Sequence, residues 1–382
     1  MRTTPERQRR AFYRDHQSGQ WSMTELCHRF QISRPTGYKW IARIREEGLE
    51  AVEDRSRAPD RHPNQTPEKL EREILGLREK YGWGAKKILY ILERRHEVAD
   101  LPARSTVNAI LDRHGKLRKN RRRRKWAHPG AARLKTDAPN QVWPADFKGQ
   151  FKTRDANYCY PLTVTDHYSR KLLLCKGLPS VKTEGAKPAF AALFREFGLP
   201  DAIRTDNGVP FASQGIYGLC ELNVWWMRLG IVHQRITPRS PQENGQHERM
   251  HKDLKREATR PPAANLRQQQ KLLDAFQDRY NEERPHEALG GAFPNERYRP
   301  SKKKYSARLR RPEYPGHFEI RKISTFGAFR FHSKQIFLSN ALVHDYIGLE
   351  EIDDGVWNIV YYNTVLGRLN RKTGKITGHD KV

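Results

Sequence analysis

Asp146 lies inside the apolar segment "QVWPADFKGQF", out of phase with Trp143, Ala145 and Phe147, and Asp206 ends the short segment "AIRTD" before the turn-like "NG". On a strand this alternation sends the apolar side chains to one face and Asp146 to the other. Strand ends are also where a sheet holds functional groups at its rim. If these two strands are neighbours, the carboxylates converge and repel one another unless a cation neutralises them. Hard oxygen donors facing a phosphate-rich partner call for one or two ions of Mg2+, with Mn2+ as a substitute. A third ligand is then expected.

The stretch "TPRSPQENGQHERMHKDLKRE", residues 237–257, is the natural supplier. Pro238, Pro241 and Gly245 keep its first half from forming a helix, whereas "GQHERMHKDLKREA" is uninterrupted helix in pattern. Glu243 falls on the loop or the helix entrance and Glu248 one turn inside. Lys252 and Lys255, at i+4 and i+7, share the face of Glu248, while Asp253 is turned away. One carboxylate followed by two ammoniums suits a metal-bound scissile phosphate with its neighbours held further along. The plain alternative is a surface Glu–Lys pair, which contributes only about 0.2–0.5 kcal/mol.

These groups sit in a chain of 382 residues with 72 Lys and Arg against 44 Asp and Glu, a formal net charge of +28. Such an excess asks for a polyanionic partner, nucleic acid first and an anionic membrane second. The N-terminal residues lack the apolar run of a signal peptide, and no later run reaches the roughly 18 apolar residues of a spanning helix. The expectation is a soluble, cytoplasmic protein with no membrane partner. Cys27, Cys159, Cys175 and Cys220 are widely spaced and form no C-x-x-C pair, which argues for reduced, buried thiols rather than disulfides or zinc.

The elements that position the carboxylates come in several blocks. In "WSMTELCHRFQISRPTGYKWIARIREEG", residues 21–48, Ser22 and Glu25 form a capping box, and Trp21 and Leu26 are placed as a hydrophobic staple. Ser33 caps a second helix with Pro35 in its first turn, and Gly48 marks its exit. Two short helices so joined read as a helix-turn-helix unit presenting Arg34, Thr36 and Lys39 to a major groove. A proline-rich linker follows. Three more helical patterns follow, the last two of which read as a second unit with Arg104, Ser105, Thr106 and Asn108 as base readers. A helical hairpin and a plain bundle are the non-functional alternatives. "KLRKNRRRRK", residues 116–125, holds eight basic residues in ten, and Arg121, Arg122, Arg123 and Arg124 are suited to lie along phosphates.

From residue 141 antiparallel strand patterns give way to alternating helices and strands, which predicts a mixed sheet covered by helices on both faces. After residue 316 short strands separated by turns predict a small barrel. The organisation is therefore a first helix-turn-helix domain (1–53), a linker (54–67), a second helix-turn-helix domain (68–115), a basic linker (116–140), a central α/β core (141–299), a basic connection (300–316) and a small all-β barrel (317–382).

The pattern "WPADFKG", "TVTDHYSR", "IRTDNGVPFAS" and "TPRSPQENGQHERMHKDLK" resembles the catalytic core of bacterial insertion-sequence transposases of the retroviral-integrase superfamily. The resemblance implies a ribonuclease-H-like fold with an Asp-Asp-Glu triad at Asp146, Asp206 and Glu248, two Mg2+ ions in the active complex, and Lys252 and Lys255 on DNA ends. Asp166 resembles a recurrent non-catalytic Asp that accepts hydrogen bonds in a hairpin. The interval from Asp206 to Glu248 holds 41 residues, longer than is usual in the superfamily, against 36 for Glu243; an insertion near "SQGIYGLCEL" accounts for the excess. The implied activity is nicking of double-stranded element ends and joining of the freed 3′-hydroxyl to target DNA, by a homodimer or higher multimer on DNA, in a bacterial nucleoid. A catalytically silent DNA-binding repressor and a plain metal-dependent nuclease are the alternatives.

Overall fold

The computed structural model describes residues 4–55, 65–117, 136–213, 215–237, 245–309 and 311–378. Glu243 and Arg121 to Arg124 lie outside the described residues. Two units are distinguished, Met1–Glu68 and Lys69–Val382.

In the first unit, local signals set each helix. Helix α1 (Pro5–Gln17) is capped by Thr4 and carries Pro5 in its first turn. Helix α2 (Met23–Arg29) begins on the Ser22–Glu25 capping box, where the Ser22 N–H donates to the Glu25 carboxylate at 2.9 Å. Helix α3 (Arg34–Glu47) begins on Ser33 and ends at Gly48, whose φ of 86° is cheap only for glycine. Phe12, Leu26, Cys27 and Ile41 form the small core. Gly37 belongs to the same contact, because a Cβ there would meet Cys27 Sγ at 2.7 Å. Trp21 stays exposed, with the Arg29 guanidinium 5.0 Å from its ring.

The second unit opens with α4 (Glu68–Tyr81), α5 (Ala85–Leu92) and α6 (Arg104–Arg113), packed through Ile74, Ile88, Leu92, Val107 and Leu111. A six-stranded mixed sheet follows, made of β1 (Val142–Phe147), β2 (Phe151–Lys152), β3 (Tyr158–Thr165), β4 (Leu172–Leu178), β5 (Ala202–Thr205) and β6 (Val232–Arg235). β3 pairs antiparallel with β1, β2 and β4, while β1, β5 and β6 run parallel. Helix α7 (Thr183–Phe197) connects β4 to β5, and α8 (Glu221–Arg228) connects β5 to β6. Helix α7 holds Pro188 in its second turn. Trp143, Ala145, Leu162, Val164 and Ile203 pack with Phe190, Phe194 and Trp226 of α7 and α8 on one face. On the other, Leu172 and Cys175 pack with Met250, Leu254, Leu273 and Phe276 of α9 (Gly245–Ala258) and α10 (Leu266–Glu282). Helices thus cover both faces. The four cysteines are free thiols.

The C-terminal segment corrects the barrel expected for 317–382. After α11 (Pro294–Arg297) come β7 (Glu319–Lys322), β8 (Ala328–Phe331), β9 (Lys334–Phe337), β10 (Tyr346–Asp353), β11 (Val356–Tyr361), β12 (Thr364–Asn370) and β13 (Ile376–Thr377). They form an open antiparallel sheet in the order β13-β12-β11-β10-β7 and a separate β8-β9 hairpin, so β7 and β13 remain edges and no sheet among the described residues closes. Instead of filling a lumen, Phe329, Phe331, Leu349, Trp357 and Leu366 pack with Leu219, Val224 and Met227 in and beside α8. Arg228 seals this junction, its Nε donating to the Tyr361 hydroxyl at 2.8 Å and its Nη2 pairing with Asp345. Strand patterns alone do not say whether edges meet or a face is covered from outside.

Candidate active site

The parallel register of β1 and β5 pairs Val142 with Ala202, Trp143 with Ile203 and Pro144 with Arg204. Two residues further along, the same register sets Asp146 opposite Asp206, which stands just past the end of β5. Because Trp143 and Ala145 face α7 and α8, Asp146 faces the α9 side. The loop after β5 is held locally: Gly208 N–H donates to Asp206 Oδ1 at 3.1 Å, and Asn207 Nδ2 donates to the Ile236 carbonyl at 3.0 Å.

Glu248 lies one turn into α9 and is exposed, and Lys252 and Lys255 are exposed on the same helix. Asp146 feels the other two carboxylates. Burial, then the charge of Asp206, then that of Glu248 push the Asp146 carboxyl up to about 7, against a backbone hydrogen bond and Lys148, which pull the other way. Lys148 is in turn lowered by burial and by Lys255. No group of three or more His, Cys, Asp or Glu side chains among the described residues is spaced to hold a metal ion. The arrangement is therefore a carboxylate rim in an open geometry.

Sequence reasoning missed the support behind this rim. Thr163, opposite Asp146 across β1 and β3, donates its hydroxyl proton to the Asp146 carbonyl at 3.0 Å. Its oxygen also lies 2.7 Å from His247 Nε2 and 2.7 Å from His251 Nε2. A hydroxyl has one proton and two acceptor sites, so both imidazoles must donate from Nε2. His247 Nδ1 then accepts from the Thr165 hydroxyl at 3.2 Å, and His251 Nδ1 faces Asp146 Oδ2 at 3.8 Å. Burial holds both rings neutral, His247 at about 3 and His251 at about 2, the latter lowered further by His247 and Lys148. The hub pins the first turns of α9, and with them Glu248, to β1 and β3. The i, i+4 spacing of the two histidines in "HERMH" was the available signal, but their shared acceptor lies 84 and 88 residues away.

The other expected residues fall elsewhere. Asp166 is buried and accepts from Asn140 N at 2.7 Å, Ser169 N at 2.7 Å and Ser169 Oγ at 2.6 Å, the role expected of a hairpin acceptor. Arg34 and Lys39 are exposed at the start of α3, and the Thr36 hydroxyl is shared with Ser33 at 2.8 Å. Arg104 and Ser105 are exposed at the start of α6, with Thr106 and Asn108 half-buried.

Models of an integrase core domain match residues 136–241 and 229–294. A helix-turn-helix domain model matches residues 8–60 and a homeodomain-like domain model residues 36–111. The chain is 31% identical over 132 residues to the Gag-Pol polyprotein of baboon endogenous virus (strain M7), covering 35% of this chain and 7% of that protein. It is 29% identical over 187 residues to the insertion element IS476 protein of Xanthomonas euvesicatoria, covering 46% of this chain and 50% of that protein. The chain thus spans half or less of the length of these relatives. Among solved structures, the HTLV-2 integrase catalytic core domain in complex with magnesium is similar at 18% identity and a TM-score of 0.34, over 42% of this chain and 98% of that one. The simian T-cell lymphotropic virus intasome in complex with the PP2A regulatory subunit B56 gamma is similar at 16% identity and a TM-score of 0.39, over 76% and 96%. Among the described residues no helix is long and apolar enough to cross a membrane. Residues 136–294 are thus similar to integrase core domains, and the segments before them to helix-turn-helix domains.

Proposed function

We propose that this chain is a bacterial insertion-sequence transposase, which recognises element ends through its helical units, nicks them and joins the freed 3′-hydroxyl to target DNA. The observation that carries the reading is the half-buried Asp146 carboxyl, raised by burial and then by Asp206 and Glu248, at the end of two parallel strands. Such an excess of negative charge on hard oxygens fits divalent cations, Mg2+ or Mn2+, held by Asp146, Asp206 and Glu248. When bound, two such ions supply a polarised attacking oxygen and a stabilised leaving oxygen for in-line displacement at phosphorus. The remaining work falls to the protein. The Thr163–His247–His251 hub orients Asp146 and Glu248, and Lys252, Lys255 and Lys148 hold phosphates beside the scissile one. Arg34, Thr36 and Lys39, and Arg104, Ser105, Thr106 and Asn108, read base edges in two major-groove segments. The basic stretch with Arg121 to Arg124 adds affinity without sequence information. Joining two ends to one target requires a homodimer or larger multimer on DNA.

The test is strand transfer of labelled duplexes with free 3′-ends into plasmid by the full chain, with Mg2+ or Mn2+. Asp206→Asn is expected to retain DNA binding and lose joining by about a thousandfold, several kcal/mol of charge stabilisation. Undiminished metal-dependent joining by that variant sinks the assignment. The open spacing of the carboxylates favours one second reading, a catalytically silent DNA-binding repressor. That reading gains if the unaltered chain binds duplexes tightly and joins none with either metal.

A further inference from the structure

Away from the carboxylate rim, a hollow of about 190 Å3 opens between α5, α9 and the loop after α10. Its wall gathers cations from four separate elements: Lys87 on α5, Arg170 in the turn before β4, Arg249 on α9 and Arg284 after α10. Two carboxylates also reach it, and both are already engaged. Asp253 pairs with Arg284 and with Arg256, and Glu287 pairs with Lys86 at 3.4 Å. Lys87, Arg170 and Arg249 have no ion pair among the described residues. Although Arg249 follows Glu248, a helix turns about 100° per residue, so the two point to different flanks.

Arg170, one of these cations, is also short of acceptors on its buried side. Arg170 Nε and Nη1 are buried without a hydrogen-bond partner. The His286 ring rests against Tyr280 at 4.9 Å. Burial, then Arg284, Lys87 and Arg170 hold His286 down to about 3, and burial followed by Arg284 lowers Lys87 to about 8. Cations that repel across a partly dry hollow are stabilised by an anion between them. The cations come from four separate elements, and a phosphate oxyanion offers more acceptor oxygens to them than a carboxylate does. The volume exceeds that of several waters at roughly 30 Å3 each.

We propose that this hollow binds a phosphate oxyanion, through Lys87, Arg170 and Arg249, and so fastens α5 to α9 and the loop after α10. The two walls already touch around it: the Tyr81 hydroxyl donates to Glu283 at 2.6 Å, and Arg94 donates to both oxygens of Glu296 at 2.7 and 3.0 Å. The anion completes a junction whose rim is paired and in which Lys87, Arg170 and Arg249 have no ion pair among the described residues. The site lies outside the strand-transfer chemistry proposed above and does not depend on it.

The oxyanion can be a free phosphate or a phosphodiester of bound DNA, and one experiment separates them. The full chain is acylated at lysines at constant ionic strength, with chloride, inorganic phosphate or a duplex oligonucleotide added, and Lys87 and the exposed Lys302 are followed by mass spectrometry. Phosphate at about four times its Kd is expected to slow Lys87 labelling about fivefold, leave Lys302 unchanged and raise the melting temperature. Both effects should fall in Arg249→Ala, a surface change that leaves the fold intact, and the melting shift should fall in Lys87→Met. Protection by duplex as well as by phosphate identifies a backbone phosphodiester, and protection by phosphate alone a free ion. The proposal is overturned if neither probe protects Lys87, if chloride protects it equally, or if Arg249→Ala keeps the full protection.

Discussion

Glu248 and the pair Asp253 and Glu257 lie on one helix, α9, in opposite surroundings. Glu248 is exposed, near the half-buried Asp146 carboxyl whose charge it disfavours, whereas Asp253 and Glu257 both pair with Arg284, and with Arg256 at 3.1 and 2.6 Å. The first has an excess of like charge around it; the second is neutralised. Acidic residues in a basic stretch therefore divide by what compensates them, and only the uncompensated one is positioned for an ion or a phosphate. The sharpest way to break this contrast is Glu248→Gln, measured by strand transfer and by urea unfolding. Joining should fall about a thousandfold, while stability changes by less than about 0.5 kcal/mol because the side chain is exposed. A large stability loss without an activity loss would reverse the assignment.

Asp253→Asn should behave the other way. It leaves Arg284, only 8% exposed, with Glu257 as its remaining partner, and a buried cation stripped of its main counter-charge costs about 2–4 kcal/mol. The urea midpoint should drop with an unchanged slope. An unchanged midpoint would place Asp253 with the solvated acids. Thr163→Val tests the support of the rim in similar fashion. It leaves two buried imidazole N–H groups without their acceptor, each costing about 1–3 kcal/mol. Thr163→Ser keeps the hydroxyl and should restore most of both stability and joining. Failure of Ser to rescue joining while it restores stability would show that the hub packs the helix without orienting Glu248.

The same contrast explains what could be read from sequence. The bounds of α9, Gly245–Ala258, follow from an unbroken pattern after Gly245, and the phase of Asp146 against Trp143 and Ala145 follows from strand alternation. Capping signals at Ser22, Glu25 and Ser33 act within four residues and were legible for that reason. Helix α1 was not, because Phe12 is its sole buried residue among those described and leaves no periodic stripe. The His247–His251–Thr163 hub and the hollow at Lys87 join residues far apart in the chain, and no local pattern encodes them. The segment "SQGIYGLCEL", read as an insertion, carries Leu219 into the C-terminal core, with Ile216 and Tyr217 packed against it. That long-range packing is also why strand patterns suggested a closed barrel where an open sheet rests on a helix.

The smallest expected effect is that of Mg2+ on the titration of Asp146. Its folded carboxyl stands at about 7 against an ordinary 3.8, so its contribution to stability is fully present below about pH 4 and is lost as pH rises through 7. Raising the pH from 5 to 8 should therefore lower the melting temperature, and Asp146→Asn should flatten that part of the profile. Mg2+ binds the ionised form, so its stabilisation should be weak at pH 5 and full above 7. At ten times its Kd the ion would add about 1.4 kcal/mol, or a few degrees. The compensated pair supplies the control: Glu257→Gln should shift the whole melting profile without changing its dependence on Mg2+. A Mg2+ effect of equal size at pH 5 and pH 8 would mean that the ion binds away from Asp146, and the division between the two kinds of carboxylate on this side of the sheet would fail at its central residue.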